Sequence, residues 1–173
     1  MQLSWKAGLA GLAFGALSMA PALAQTQTQT QRDFSGMSAQ QIFQLCLDES
    51  EDDGECIGVW ADNCNDQGTT TDAALRCLEP EVAYWNSRME GAFRELKGAL
   101  SAEDVDPNYP LANQIEVVQS AWSQLRGAEC AFVRMTYQGG SEGNVEYQSC
   151  MLSWTAGRTL DLEDLWQAPQ TQP

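Results

Sequence analysis

Apolar positions along this chain recur with the period of a helix, and no segment alternates as a half-buried strand would. The firmest run is Val82, Trp85, Met89, Phe93, Leu96 and Leu100, spaced by three or four residues on one helical face. Arg88, Arg94, Glu95 and Lys97 fall off that face. A second stripe runs through Leu111, Ile115, Val118, Trp122, Leu125 and Phe132. Between the two, Ser101–Pro110 is a break, and Asp106-Pro107-Asn108-Tyr109-Pro110 is its firmest punctuation. A third helical region spans Val145–Leu165, with Tyr147, Met151, Trp154, Leu162 and Leu165 as its apolar positions.

Upstream, the pattern predicts shorter pieces. Ser38 with Gln41 three residues on reads as a capping box opening a helix that faces inward through Ile42, Leu45 and Cys46. Asp48–Glu55 is an acidic turn closed by Gly54. Cys56–Cys64 reads as a second short helix carrying Ile57, Val59 and Trp60. After a turn-rich stretch centred on Gly68, Thr71 or Asp72 caps the next helix. Pro80 either opens a new helix in its first turn or kinks an existing one. The expected fold is all-α: a small helical bundle with long antiparallel helices, stapled by disulfides.

The ends are not expected to join the fold. Lys6, the apolar Ala7–Met19 and the Ala22-Leu23-Ala24 cleavage pattern predict a signal peptide over 1–24. Its apolar core is too short to span a bilayer comfortably, so no stable membrane insertion is expected. A flexible Gln/Thr-rich tether follows over 25–37, then a single domain over 38–166 and a disordered tail over 167–173. The chain carries 9 Lys plus Arg against 24 Asp plus Glu, a formal charge of −15. Loss of the leader removes Lys6 and no acid, leaving −16. Such a charge argues against nucleic acid and anionic membranes, and favours a cationic partner or plain solubility.

All six cysteines follow the cleavage site, and an even count in an exported, oxidised chain points to disulfides. Fifteen pairings are open to six cysteines. Cys130 and Cys150 sit on adjacent helices joined by the Gly-rich loop Gln138–Asn144, an arrangement expected to be stapled and to present residues to a partner. Histidine is absent, which removes the usual general base, nucleophile activator and metal ligand. The acidic turn fails as an EF-hand loop, because alignment on Gly54 puts Trp60 where the bidentate Glu belongs. No CxxC or GxSxG occurs, and Glu81, Glu90 and Glu95 read as surface residues. No catalytic residue, metal or cofactor is therefore expected. Trp60, Trp85, Trp122 and Trp154 read as core, with Trp166 exposed. Arg126 reads either as a surface ion-pair partner of Glu129 or the acidic loop, or as a structural Arg holding loop carbonyls.

The residues Cys77, Glu81, Gln119, Ala121, Trp122, Arg126, Cys130, Tyr137, Gly139, Gly140, Ser141, Cys150 and Arg158 stand in an order that resembles the LprI-type lysozyme-inhibitor family. The resemblance covers roughly 64–165. It departs at Gly127, where the family usually has Asp. It departs again at Asn86, Met89, Glu90 and Phe93, where the family favours Asp-x-x-Leu-Asn-x-x-Tyr. The resemblance implies the pairs Cys64–Cys77 and Cys130–Cys150, which leaves Cys46–Cys56. It also implies a periplasmic or secreted binding protein that inhibits lysozyme by blocking its cleft. The expected contact residues are Tyr137, Gln138, Gly139, Gly140, Ser141 and Glu142, supported by Arg126. The expected partner is a basic lysozyme or another cationic envelope protein. The alternative is an envelope interaction or structural module with no lysozyme activity.

Overall fold

The computed structural model describes residues 34–64, 68–103 and 106–167. The expected leader, the tether up to Asp33, part of the turn before Gly68 and the tail beyond Gln167 lie outside them. The described residues form helices and no strands: α1 (Ala39–Glu49), a 3-10 turn (Asp53–Cys56), α2 (Val59–Asp62), α3 (Thr71–Glu103), α4 (Leu111–Thr136) and α5 (Glu142–Gln167). The fold is all-α.

The three long helices run up, down and up. Lys97 of α3 pairs with Glu116 of α4, and Asn86 with Arg126, so the partners advance in opposite directions along the two helices. Arg126 in turn meets Thr155, and Cys130 meets Cys150, so α4 and α5 are also antiparallel. Between α3 and α5 the pairs Trp85–Thr159 and Arg88–Glu163 advance together. α5 packs extensively on α3 and less on α4, whereas α4 touches α3 only sparsely.

α3 is one helix of 33 residues, about 50 Å long at 1.5 Å per residue. Pro80 lies inside it, exposed, and neither opens nor ends a helix. The helix survives because Ala73, Cys77, Glu81 and Trp85, four residues apart, are buried along one line that spans the proline. Packing on both sides outweighs the one hydrogen bond that proline cannot donate. Thr70 caps the helix, its Oγ1 accepting from Ala73 N at 3.2 Å, so the cap sits one or two residues before the expected one. The C-terminal end runs to Glu103, into the expected break.

The N-terminal module covers the Trp85 end of α3. Ser38 and Gln41 form the capping box of α1, with bonds of 2.8 and 3.3 Å. The inward face is Ile42 and Phe43; Leu45 is only half-buried. Phe43 meets Tyr84 edge-on at 4.8 Å and Trp85 at 5.9 Å, and this aromatic cluster seals a core with Cys56, Val82, Leu152 and Ala156. The expected Cys56–Cys64 helix is divided, because Gly58 adopts φ 93° and starts α2 afresh. A second core joins Met89, Ala92, Leu96 and Leu162, with Trp122 and Ile115 packed against it.

Three disulfides brace these units: Cys46–Cys56, Cys64–Cys77 and Cys130–Cys150, with Cα separations of 5.7, 5.6 and 5.5 Å. No cysteine is free.

Two corrections follow from burial. The α4 stripe is not a core stripe: Ile115 and Trp122 are half-buried, but Val118, Leu125 and Phe132 are 40%, 50% and 61% exposed. On α5 the buried line is Leu152, Thr155, Ala156, Arg158, Thr159 and Leu162. Tyr147, Met151 and Trp154 are half-buried, and Leu165 is exposed. α5 is wedged between α3 and α4, so two of its faces are covered and a single-face pattern cannot describe it.

Candidate functional site

The loop from α4 to α5 is short and held from both ends. Tyr137 ends α4, and Gln138 and Gly139 both take left-handed backbone, with φ of 51° and 85°. Gly140 N donates to Tyr137 O at 2.9 Å, and Gly143 N to Gly140 O at 3.1 Å. Gly143 is buried in the first turn of α5, and a Cβ there would stand 2.9 Å from Arg134 O. Glycine lets the first turn of α5 press against the last turn of α4. The Cys130–Cys150 bridge ties the two helices below. Tyr137, Gln138, Gly139, Gly140, Ser141 and Glu142 are all exposed and contiguous. Desolvation, with the carboxylates of Glu146 and Glu142, pushes the Tyr137 phenol above its ordinary pKa.

Arg126 is not part of this loop. Its Nη1 donates to Thr155 Oγ1 at 2.7 Å and to Asn86 Oδ1 at 3.3 Å. Its guanidinium lies 4.8 Å from the centroid of the Trp122 ring. Arg158 approaches the same ring at 5.9 Å and donates from Nε to Gln119 Oε1 at 2.9 Å. Gln119 reaches on to Met89 Sδ at 3.6 Å. Three polar residues of the family resemblance, Gln119, Arg126 and Arg158, thus converge on one girdle that crosses α3, α4 and α5 at mid-height, with Asn86, Met89 and Thr155 as their partners. Neither ion pairing with Glu129 nor bonding to loop carbonyls describes Arg126.

Among the described residues, the hydrogen bonds of both arginines go to neutral groups. Burial lowers both pKa values, with only partial relief from Tyr147 and Asp161. Arg126 Nε and Arg158 Nη2 are buried without a hydrogen-bond partner. The girdle holds three helices in register at an electrostatic cost.

Glu81, read as a surface residue, is fully buried. Its Oε1 accepts from Gly58 N at 2.7 Å and from Trp85 Nε1 at 3.3 Å, and its Oε2 accepts from Ala61 N at 2.9 Å. The carboxylate caps the start of α2, whose own cap residue Gly58 has no side chain to offer. Desolvation raises its pKa against these hydrogen bonds. The four-residue line Cys77, Glu81, Trp85 was the signal for its burial. The acidic turn is also partly structural. Asp53 and Glu163 both bind Arg88, at 2.6 and 2.7 Å, and hold that guanidinium above its ordinary pKa although burial opposes it. Glu90 and Glu95 are exposed.

Among the described residues no helix is long and apolar enough to cross a membrane. No group of three or more Cys, Asp or Glu among them is arranged to hold a metal ion.

The family model described as "Lysozyme inhibitor LprI" matches residues 62–162. No curated protein and no solved structure matches the chain. The matched span runs from the last residue of α2 through both halves of the girdle, the α4–α5 loop and two of the three disulfides. It leaves out α1 and the Cys46–Cys56 bridge. By that match, which covers more than half its length, the chain belongs to the LprI lysozyme-inhibitor family.

Proposed function

We propose that this chain is an exported acidic binding protein that inhibits lysozyme by inserting its α4–α5 loop across the lysozyme cleft, with no chemistry of its own. Family membership supports the inhibitory role, and three disulfides fit an oxidising compartment. The observation that carries the loop assignment is its combination of exposure and internal bracing. A loop already held by its own turns and a disulfide loses little entropy on docking. Tyr137, Gln138, Ser141 and Glu142 supply the side chains, and Gly139 and Gly140 let the backbone approach closely. Arg126 acts at a distance by fixing α4 against α5. The charge of −16 left once the leader is lost steers the protein to a basic lysozyme, so association slows with salt while a specific complex persists.

The test is clearing of a cell-wall suspension by a basic lysozyme in the presence of oxidised residues 25–173. Ser141 is the informative position, because Gly140 with a Cβ would crowd Tyr137 O at 3.2 Å and change the loop itself. Ser141→Trp should abolish inhibition with an unchanged helical circular dichroism spectrum. Full inhibition by Ser141→Trp would remove the loop from the mechanism.

A further inference from the structure

One face of α4 is built as a helix-pairing seam, and among the described residues it lies open. Val118, Leu125 and Phe132 recur at seven-residue intervals, and Ala121, Ala128 and Met135 recur at the same interval three residues on. That is the a/d spacing of a coiled coil, and all six residues are exposed. Val117, at 60% exposure, flanks the seam with Gln124 and Ala131. The opposite flank, Ile115 and Trp122, packs into the bundle's own core. The seam therefore runs beside that core and is not part of it. An apolar face this long is unusual on a monomer surface.

We propose that this face is a self-association surface, occupied by α4 of a second copy running antiparallel. The sequence is complementary to itself in that arrangement. With a two-fold axis crossing the seam at the level of residue 123, Val118 meets Ala128 of the second copy and Leu125 meets its Ala121. Each large side chain in the central layers then faces an alanine, which lets the helices approach closely. A parallel pairing would stack Val118 on Val118 and Ala121 on Ala121, alternately crowding and under-filling the layers.

Charge selects the same occupant. The seam and its outer flank, nine positions from Val117 to Met135, carry no charge although the chain as a whole carries −15; the inner flank adds one exposed acid, Glu129. Two copies repel across their acidic surfaces but not across this one. A basic partner gains nothing here and is drawn instead to the acidic faces. The size is adequate for a modest dimer. A helix of 26 residues is about 39 Å long. Pairing along it covers on the order of 1,200 Å² in total, the lower edge of stable interfaces. The antiparallel arrangement sets the two α4–α5 loops at opposite ends, free of the contact.

The experiment is sedimentation equilibrium of oxidised residues 25–173 over a concentration series. A monomer–dimer equilibrium with a dissociation constant on the order of micromolar is expected. Leu125→Glu places a charge in the central layers at a half-exposed position, so the fold survives and dimerisation weakens by at least about tenfold. Ser123→Glu, also exposed but on the side of α4 away from the seam, leaves it unchanged. Gln124→Cys joins two copies through a disulfide, since residue 124 meets itself beside the antiparallel axis; a parallel pair keeps these positions apart. A monomer at every concentration overturns the proposal, as does a dimer indifferent to Leu125→Glu. Failure of the Gln124→Cys cross-link overturns the antiparallel arrangement. Loss of lysozyme binding by Leu125→Glu without any change in self-association would assign the face to a foreign partner, and overturns the proposal as well.

Discussion

Removing the Glu81 carboxylate should destabilise the protein more than any surface acid. Glu81→Ala strands three donors at once: Gly58 N, Ala61 N and Trp85 Nε1, bonded at 2.7, 2.9 and 3.3 Å. Hydrogen bonds to a charged acceptor contribute about 1.5–3 kcal/mol each. The carboxylate's own desolvation, visible in its raised pKa, offsets part of that sum. A net loss of about 3 kcal/mol remains, or about 10 °C in melting temperature for a domain of this size. Glu81→Gln should fall between the two, since its carbonyl serves one N–H while its NH2 faces another. The pH dependence has a defined sign. The folded state holds the Glu81 proton more tightly than the unfolded chain, so this residue's contribution falls as pH rises from 4.5 through the raised value. The stability gap between wild type and Glu81→Gln should therefore be larger at acid pH and narrow as pH rises above 4.5. Urea unfolding followed by tryptophan fluorescence measures both arms. A Glu81→Ala variant within about 0.5 kcal/mol of wild type would refute the reasoning.

Asn86→Asp should stabilise the fold by about 1 kcal/mol, read from the urea midpoint, because it gives the buried Arg126 a charged acceptor in place of a neutral one. Gly127→Ala should add about 0.5–1 kcal/mol in thermal melts, since Gly127 lies inside α4 with open space where a Cβ would go. Gly143→Ala should cost about 1–3 kcal/mol and displace the α4–α5 loop, because its Cβ would stand 2.9 Å from Arg134 O; nuclear magnetic resonance shifts of residues 137–142 report the displacement.

The parts of this fold that could be read from sequence are those governed by local chemistry. Ser38 and Gln41 announce their cap because both partners lie within one turn. Val82 to Leu100 announces a face because α3 is covered along one side only. Glu81 was hidden by its type: a carboxylate reads as surface until its donors are known, and two of them lie twenty or more residues upstream. α5 was hidden by position, because a helix covered on two sides buries Thr155 and Thr159 alongside Leu152 and Leu162. The α4 stripe shows the opposite failure, an apolar period that no other described residue covers along Val118, Leu125 and Phe132. For the candidate site, the glycines of residues 139–140 marked the turn correctly as a turn. The motif Arg126 suggested support for that turn, yet its bonds to Asn86 and Thr155 belong to tertiary structure that spacing does not encode.

The disulfide pattern bears on how the chain matures. The six cysteines pair in sequence order, first with second, third with fourth and fifth with sixth, at separations of 10, 13 and 20 residues, with no loop nested in or crossing another. A polypeptide emerging N-terminus first into an oxidising compartment exposes Cys46, then its partner Cys56, before any competing thiol arrives. The same holds for Cys64 with Cys77 and for Cys130 with Cys150. An oxidant acting in order of emergence would therefore generate the native set without a reshuffling step.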